Sequence, residues 1–158
     1  MLDNYLVRLN SLENVFDETG NAVGFKFGVR NANYRGVFLS LHNGYFIKID
    51  GIIFPREKQR FEINGKLPRN FEEIKKAVFE HWDYDDEGMV YVEKQGGLEP
   101  GMHHLEFQQS VLAAYGYMPT DEEWVKTPPV PGSGAGADKT IFIVTFDLEL
   151  QNGGKKND

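Results

Sequence analysis

The sequence predicts an all-β protein, an antiparallel β-sandwich of jelly-roll type with about nine strands and one short helix. Apolar and polar residues alternate through several segments, as in a pleated strand that buries one face. Tight-turn signals such as Asp50-Gly51 and Asn64-Gly65 separate these segments at short intervals. Helical patterns do not alternate with the strands, which disfavours a parallel α/β fold.

Residues 34–65 are the centre of this prediction and are expected to hold three or four consecutive strands. Alternation in residues 37–42 breaks at Asn43-Gly44 and resumes in residues 45–49. Asp50-Gly51 suits a type I′ turn, which folds residues 52–54 back on the preceding strand. Pro55 ends that strand, because proline has no N–H for a ladder, and Asn64-Gly65 closes the next one, residues 59–63. We therefore predict an antiparallel meander.

The flanking segments predict further strands. Residues 5–9 form a short first strand, and residues 15–16 and 22–30 form a hairpin with Phe25, Phe27 and Val29 on one face. Gly24 and Gly28 lie on the other face, where they indicate either close approach of another backbone or an edge strand. Residues 88–94 and 103–115 are expected to form a second meander, and residues 139–150 the last strand.

Residues 71–82 carry the helical pattern of the chain. Asn70 can cap this helix, and Glu73 completes a capping box. The expected apolar stripe that docks on a sheet consists of Phe71, Ile74, Val78, Phe79 and Trp82.

Length and composition favour one domain over residues 1–150 of the 158-residue chain. Residues 116–138 form a long loop with four prolines and four glycines, and residues 151–158 are expected to be a disordered tail. No apolar run reaches the roughly 20 residues of a membrane span. Asp3 and Arg8 interrupt any signal-peptide pattern, so a cytoplasmic location is expected.

Charge and cysteine content exclude several classes of site. The net charge is −7 without clustered Lys and Arg, which disfavours nucleic acid as a partner. The absence of Cys excludes disulfides, thiolate metal sites and a Cys nucleophile. Phosphate-binding loops and the Gly-x-Ser-x-Gly elbow of hydrolases are also missing from the sequence.

Two segments invite a metal-site interpretation. The acidic run from Asp83 to Gly88 resembles the start of a calcium loop, but Lys94 stands where that loop needs a bidentate Glu, and a strand rather than a helix should follow. A solvated acidic turn is the favoured interpretation. The rings of His103 and His104 should point to opposite faces of a strand, so the pair cannot chelate one ion. We therefore predict that this chain binds no metal or other cofactor.

Arg30, Tyr34 and Arg35 cluster where the chain enters the predicted meander. Arginine forks and a phenol suit oxygen-rich ligands or the carboxylates of a partner, although an ordinary solvated strand end has the same composition. Trp124 lies in the long proline-rich loop, where it can anchor a partner or fold back on its own sandwich. We predict that these four residues approach a partner or its substrate.

The ordered set of residues between positions 5 and 119 resembles the small β subunit of bacterial C-glycoside deglycosidases. The resemblance rests on Val29-Arg30, Tyr34-Arg35-Gly36, Leu39-Ser40, Lys48-Ile49-Asp50-Gly51, Pro55-Arg56-Glu57, Phe61, Asn64-Gly65, Trp82, the turn from Gly96 to His103, and Tyr117-Met118-Pro119. The segment after Pro119 is not aligned by these motifs.

The resemblance implies an accessory subunit of a carbon–carbon lyase that releases a flavonoid-type aglycone from a 3-oxo-C-glycoside. The family's larger α subunit is a (β/α)₈ barrel that holds a divalent metal, usually manganese, and the acid–base residues. The resemblance therefore implies an αβ hetero-oligomer, no catalytic residue in this chain, and no activity of the isolated chain. A different class is a free-standing carbohydrate-binding or assembly module that uses an aromatic sandwich face.

Overall fold

A computed structural model describes residues 6–30, 37–77, 80–83, 86–111 and 144–150. Eleven strands and one α-helix lie in these ranges. The strands are β1 (Glu13–Phe16), β2 (Ala22–Arg30), β3 (Val37–Phe38), β4 (His42–Ile49), β5 (Ile52–Phe54), β6 (Gln59–Glu62), β7 (Arg69–Asn70), β8 (His81–Trp82), β9 (Glu87–Glu93), β10 (Met102–Val111) and β11 (Val144–Glu149), and the helix is α1 (Phe71–Ile74). No helix in the described ranges is long and apolar enough to span a membrane.

The strands form two main antiparallel sheets, which confirms the predicted all-β sandwich. One sheet has the order β1-β2-β9-β6-β7 and the other β11-β10-β4-β5, while β3 and β8 pair separately. Aromatic rings from the two sheets meet between them. The ring centroids of Phe27 and Phe107 are 6.0 Å apart, and those of Phe25 and Phe54 are 5.3 Å apart.

Both predicted hairpins are present. β1 pairs with β2, and the side chains of Phe25, Phe27 and Val29 are all buried as expected. β4 pairs with β5 across Asp50-Gly51, whose φ angles of 52° and 88° satisfy the requirement of a type I′ turn.

The predicted meanders are wrong, because successive strands change sheets. β5 belongs to the four-stranded sheet, whereas β6 pairs with β7 and β9 in the other. Pro55 and a short 3₁₀ helix, Arg56–Lys58, redirect the chain between them. Likewise β9 and β10 lie in different sheets, joined by the turn through Gly96 and Gly101. Local alternation predicts a strand but carries no information about which sheet it joins.

The first strand is also shorter than predicted. In the described residues near the N-terminus, only Val7 forms a bridge, to Val29. Residues 39–41 are a 3₁₀ helix between β3 and β4 instead of part of a strand. The long loop at 116–138 and the tail at 151–158 lie outside the described residues.

The predicted helix over residues 71–82 is reduced to one turn, α1. Its start is confirmed, since the Asn70 side chain accepts from the Glu73 N–H and the Glu73 carboxylate accepts from the Asn70 N–H. Beyond Ile74 the chain continues in turns, and His81–Trp82 pairs as β8 with β3. Ile74 and Trp82 are both fully buried, so the apolar pattern identifies core residues, but strand pairing determines the backbone. Val78 and Phe79 lie outside the described residues.

A buried amide, Gln59, connects the two sheets. Its Nε2 donates to the carbonyl oxygens of Tyr45 at 2.8 Å and Phe54 at 3.1 Å, and its Oε1 accepts from the Tyr45 N–H at 3.0 Å. Ile47 pairs with Phe54, the last residue of β5, so that short strand has no residue left to pair with Tyr45. The Gln59 side chain takes the place of the missing strand residue.

We predict that Gln59→Met lowers the free energy of unfolding by about 3 kcal/mol. Methionine has a similar length but leaves the Tyr45 N–H and two carbonyl oxygens without partners, and each unsatisfied buried group costs roughly 1–3 kcal/mol. Urea unfolding measures the change. The control is Gln95→Met at an exposed turn position, which should stay within about 0.5 kcal/mol of the wild type. Equal effects of the two substitutions would contradict the bridging role of Gln59.

Candidate functional site

Arg30, the one predicted interface residue within the described ranges, lies at the end of β2 beside Arg8 and Glu87. The Arg30 Nη2 is 3.6 Å from Glu87 Oε2, and the Arg8 Nε is 2.8 Å from both oxygens of the same carboxylate. We call these three residues the Arg30 cluster. Their side chains are 30–44% exposed, so the cluster faces solvent in the described structure.

The backbone of Arg30 is fixed by two hydrogen bonds. Its N–H donates to the Leu6 carbonyl at 2.8 Å, and its carbonyl accepts from Gln109 Nε2 at 2.8 Å. Gly28 leaves the space that the Glu87 carboxylate occupies, because a Cβ at residue 28 would come within 3.1 Å of Glu87 Cδ. Two guanidinium groups and one carboxylate give the three residues of the cluster one net positive charge. The hydrogen bonds of the Arg30 backbone fix the position of the cluster on β2.

Chemically, two guanidinium groups around one carboxylate form a surface suited to a second carboxylate or another oxygen-rich group. Sequence inspection misses Arg8 and Glu87, because these residues are 79 positions apart and nothing local indicates their pairing. Tyr34, Arg35 and Trp124 lie outside the described residues, so their approach to Arg30 stays a prediction.

The turn before β10 is held from two sides. Asn14 Nδ2 donates to the Leu98 carbonyl at 3.0 Å, and Asn14 Oδ1 accepts from the Leu98 N–H at 2.9 Å. Gly97 is required beside it, because it has a φ of 63° and a Cβ would come within 2.6 Å of Asn14 Oδ1. Asn14 thereby joins this turn to β1.

His103 ties the same turn to the β4–β5 hairpin. The ring is buried, with Nδ1 2.6 Å from Asp50 Oδ2 and Nε2 2.6 Å from the Glu99 carbonyl oxygen. The pKa of Asp50 is lowered, first by the hydrogen bond from the His104 N–H and then by that from His103. Because both ring nitrogens face acceptor oxygens, His103 acts as a structural brace and offers no free nitrogen to a metal or substrate.

His104 and His81 each face a separate carboxylate. His104 Nδ1 is 2.8 Å from Asp147 Oδ1 on the outer side of the strand, so the two adjacent rings point to opposite faces as predicted. His81 Nδ1 is 2.6 Å from Asp83 Oδ1, and the strand β9 follows the acidic run as expected. Among the described residues, no three His, Asp or Glu side chains form a group that could hold a metal ion.

Glu80 is the most strongly perturbed carboxylate with a described environment. Arg69 contacts it through two bonds of 3.0 and 2.9 Å, and Asn64 and Lys66 add bonds of 2.8 and 3.0 Å. The hydrogen bonds from Arg69, partly opposed by burial, lower the pKa of Glu80 to about 2. A carboxylate so fully bonded stays ionised near neutral pH, which suits a structural role better than general acid catalysis.

We predict that Glu80→Gln destabilises the protein by about 2 kcal/mol at pH 7 and that this difference disappears in acid. The pKa of Glu80 is lower in the folded protein, so its stabilisation is full above pH 4.5 and is lost as pH falls from there towards 2. Urea unfolding at pH 7 and at successive lower values measures the difference. Glu18→Gln, in an exposed turn, is the matched control. A difference that is independent of pH would contradict the assignment.

Comparison with known proteins identifies the family. The model of the C-glycoside deglycosidase beta subunit family matches residues 2–115. The chain belongs to that family. A protein from Eubacterium cellulosolvens named C-glycoside deglycosidase beta subunit is 25% identical to it over 142 residues, which cover 90% of this chain and 88% of the relative. The family match spans β1 to β10 and therefore includes the Arg30 cluster and the His103 turn.

Proposed function

We propose that the chain is the accessory β subunit of a heteromeric C-glycoside deglycosidase, in which a larger α subunit cleaves the sugar–aglycone carbon–carbon bond of 3-oxo-C-glycosides. Family membership is the observation that carries this proposal, because a beta subunit requires a partner subunit. The site supports it further. Described polar groups that could serve as catalysts, such as His103 and Glu80, are hydrogen-bonded within the sandwich.

The proposed chemistry divides naturally between two subunits. A ketone at C3 of the sugar acidifies the proton at C2, and a base that removes it generates an enediolate. Elimination then forms a C1=C2 double bond as the C1–aglycone bond breaks, and an acid returns a proton to the departing aglycone carbon. We assign the base and a divalent metal, manganese, to a (β/α)₈ barrel in the α subunit, where the metal would act as a Lewis acid. The β subunit binds and positions that barrel and supplies no catalytic residue.

Reconstitution tests the assignment. The isolated chain should release no aglycone from a flavonoid-type 3-oxo-C-glycoside, whereas the chain mixed with its α subunit should release it. The α subunit alone is the necessary control, because only a higher turnover of the mixture shows that the β subunit contributes. Turnover by this chain alone would contradict the accessory role, and failure to associate would contradict the subunit assignment.

We propose that Trp124, with Arg30, Tyr34 and Arg35, contacts the α subunit. Trp and Arg are enriched among residues that dominate the binding energy of protein interfaces. Trp124→Ala should weaken association by 2 kcal/mol or more, roughly thirtyfold in Kd, while the isolated variant keeps its circular dichroism spectrum. Ile53→Ala, at an exposed apolar position of β5, is the control. An unfolded variant or an unchanged Kd would place Trp124 outside the interface.

Arg30 should act through its charge. Arg30→Gln is expected to slow association with the α subunit about fivefold at low salt, and the effect should diminish as salt screens the interaction. Stopped-flow or surface binding kinetics at two ionic strengths measure this rate. Lys76→Gln, at an exposed position after α1, is the charge-matched control. If Arg30→Gln and the control associate at the same rate at both ionic strengths, Arg30 lies outside the interface.

A further inference from the structure

The connection between β6 and β7, residues 64–69, presents an apolar side chain to solvent. Leu67 is 84% exposed, more than any other described large apolar side chain. We call residues 64–69 the Leu67 loop. Single exposed leucines are common on protein surfaces, so this exposure alone indicates no site. What distinguishes Leu67 is the number of contacts that fix its loop in one position.

The Leu67 loop begins with a tight turn. Asn64-Gly65 has φ angles of 60° and 74°, and the Lys66 N–H donates to the Ile63 carbonyl at 3.2 Å, as in a type I′ turn. Pro68 then restricts the residue before it, Leu67, to extended backbone conformations. The backbone is therefore constrained on both sides of the exposed leucine.

One carboxylate ties the loop to the rest of the sandwich on both sides of Leu67. Glu80 accepts from Asn64 Nδ2 at 2.8 Å and from Lys66 Nζ at 3.0 Å, before that leucine in the chain. After the leucine, Glu80 accepts from the Arg69 guanidinium at 3.0 and 2.9 Å. The Glu80 side chain is only 14% exposed, so it lies beneath the loop and not at its tip.

The Leu67 loop lies at the same end of the five-stranded sheet as the Arg30 cluster. Arg30 pairs with Glu87 at the start of β9, and Glu62 at the end of β6 pairs with Met89, two residues further along β9. The loop follows β6, so it leaves the sheet where β9 begins. Two strand spacings separate β2 from β6, which places the two features roughly 10 Å apart across the sheet.

We propose that Leu67 inserts into an apolar pocket of the α subunit, beside the surface of that subunit that meets Arg30. The assignment rests on the proposed function. A convex loop with an apolar tip suits a concave protein surface, whereas a small molecule would need a concave site on this chain. Its continuity with the Arg30 cluster assigns the pocket to the same partner.

The energetics favour Leu67 as an anchor. Removing a leucine side chain from water on association stabilises a complex through the apolar area that is buried. A loop that is already held in one conformation loses little conformational entropy when it binds. Glu80 contributes by positioning the loop, because its contacts are to the residues around Leu67.

The test measures the Kd of the full chain with its α subunit by surface binding kinetics. Leu67→Ser should weaken association about tenfold or more, because it removes the apolar side chain that the pocket buries. The melting curve of the isolated variant should match that of the wild type, since Leu67 is 84% exposed in its own chain. A folding defect therefore cannot account for weaker association.

Ile52→Ser is the matched control, because Ile52 is also a branched aliphatic residue and is 54% exposed. It lies at the opposite end of the sandwich. Gln109 pairs with Tyr45 near the start of β4 and donates to the Arg30 carbonyl, so β4 starts at the Arg30 end, and Ile52 follows the turn after its far end. Ile52→Ser should change the Kd by about twofold at most.

A double-mutant cycle tests the positioning role of Glu80. Glu80→Gln should weaken association about threefold in the wild type but have no further effect in Leu67→Ser, because the loop then has no anchor to position. If Glu80 affects only stability, it should weaken association by the same factor in both backgrounds. That additive result would remove Glu80 from the positioning role.

A Kd of Leu67→Ser equal to that of the wild type, or equal effects of Leu67→Ser and Ile52→Ser, would overturn the anchor. So would a loss of self-association with unchanged binding to the α subunit, because the loop would then contact a second copy of the chain. If the αβ mixture assembles and releases aglycone but Leu67→Ser binds like the wild type, only the anchor fails. If the wild-type chain does not associate with the α subunit, the subunit assignment fails and the anchor with it.

Discussion

The sandwich depends on Gln59. Its backbone belongs to β6 in the five-stranded sheet, and its side chain completes the hydrogen bonding of the four-stranded sheet. β5 is only three residues long, so it offers no residue to pair with Tyr45 on that side of β4, although β10 pairs with Tyr45 on the other side. The amide of Gln59 supplies both the donor and the acceptor that Tyr45 requires. The same Tyr45 ring stacks on Phe107 with centroids 5.0 Å apart, and the pKa of its phenol is raised by burial. Sheet pairing and core packing therefore meet at one residue.

The sequence predicts an element of this fold well when the residues that determine it are close together in the chain. Asp50-Gly51 defines a hairpin because both turn and strands lie within a few residues, and Asn70 defines a helix start for the same reason. The end of α1, by contrast, is determined by residues outside the predicted helix. Residues 80–82 are held extended by the pairing of β8 with β3 and by the bonds of Arg69 to Glu80, and no pattern within residues 71–82 reports either.

The candidate site shows the same limit. The sequence alone marks Arg30 as a basic residue at a strand end. Its neighbours Arg8 and Glu87 lie before β1 and at the start of β9, far from Arg30 in the sequence. His103 is correctly expected to point away from His104, since alternation along a strand is local. Its role as a brace depends on Asp50, 53 residues away, and only the folded structure reveals it.

The two glycines on the outer face of β2 connect the packing of the five-stranded sheet with the Arg30 cluster. Gly28 makes room for the carboxylate that contacts Arg8 and Arg30, and Gly24, two pleat repeats further from Arg30 on the same face, lets β2 approach the Val92 carbonyl of β9 closely. The inner residues of this strand, Phe25, Phe27 and Val29, are fully buried, so the strand cannot shift its register. The packed aromatic core thus fixes the two glycines on the opposite face, one beside the Glu87 carboxylate and one against the Val92 carbonyl. The same core therefore fixes where Arg30, at the end of β2, stands relative to the two sheets.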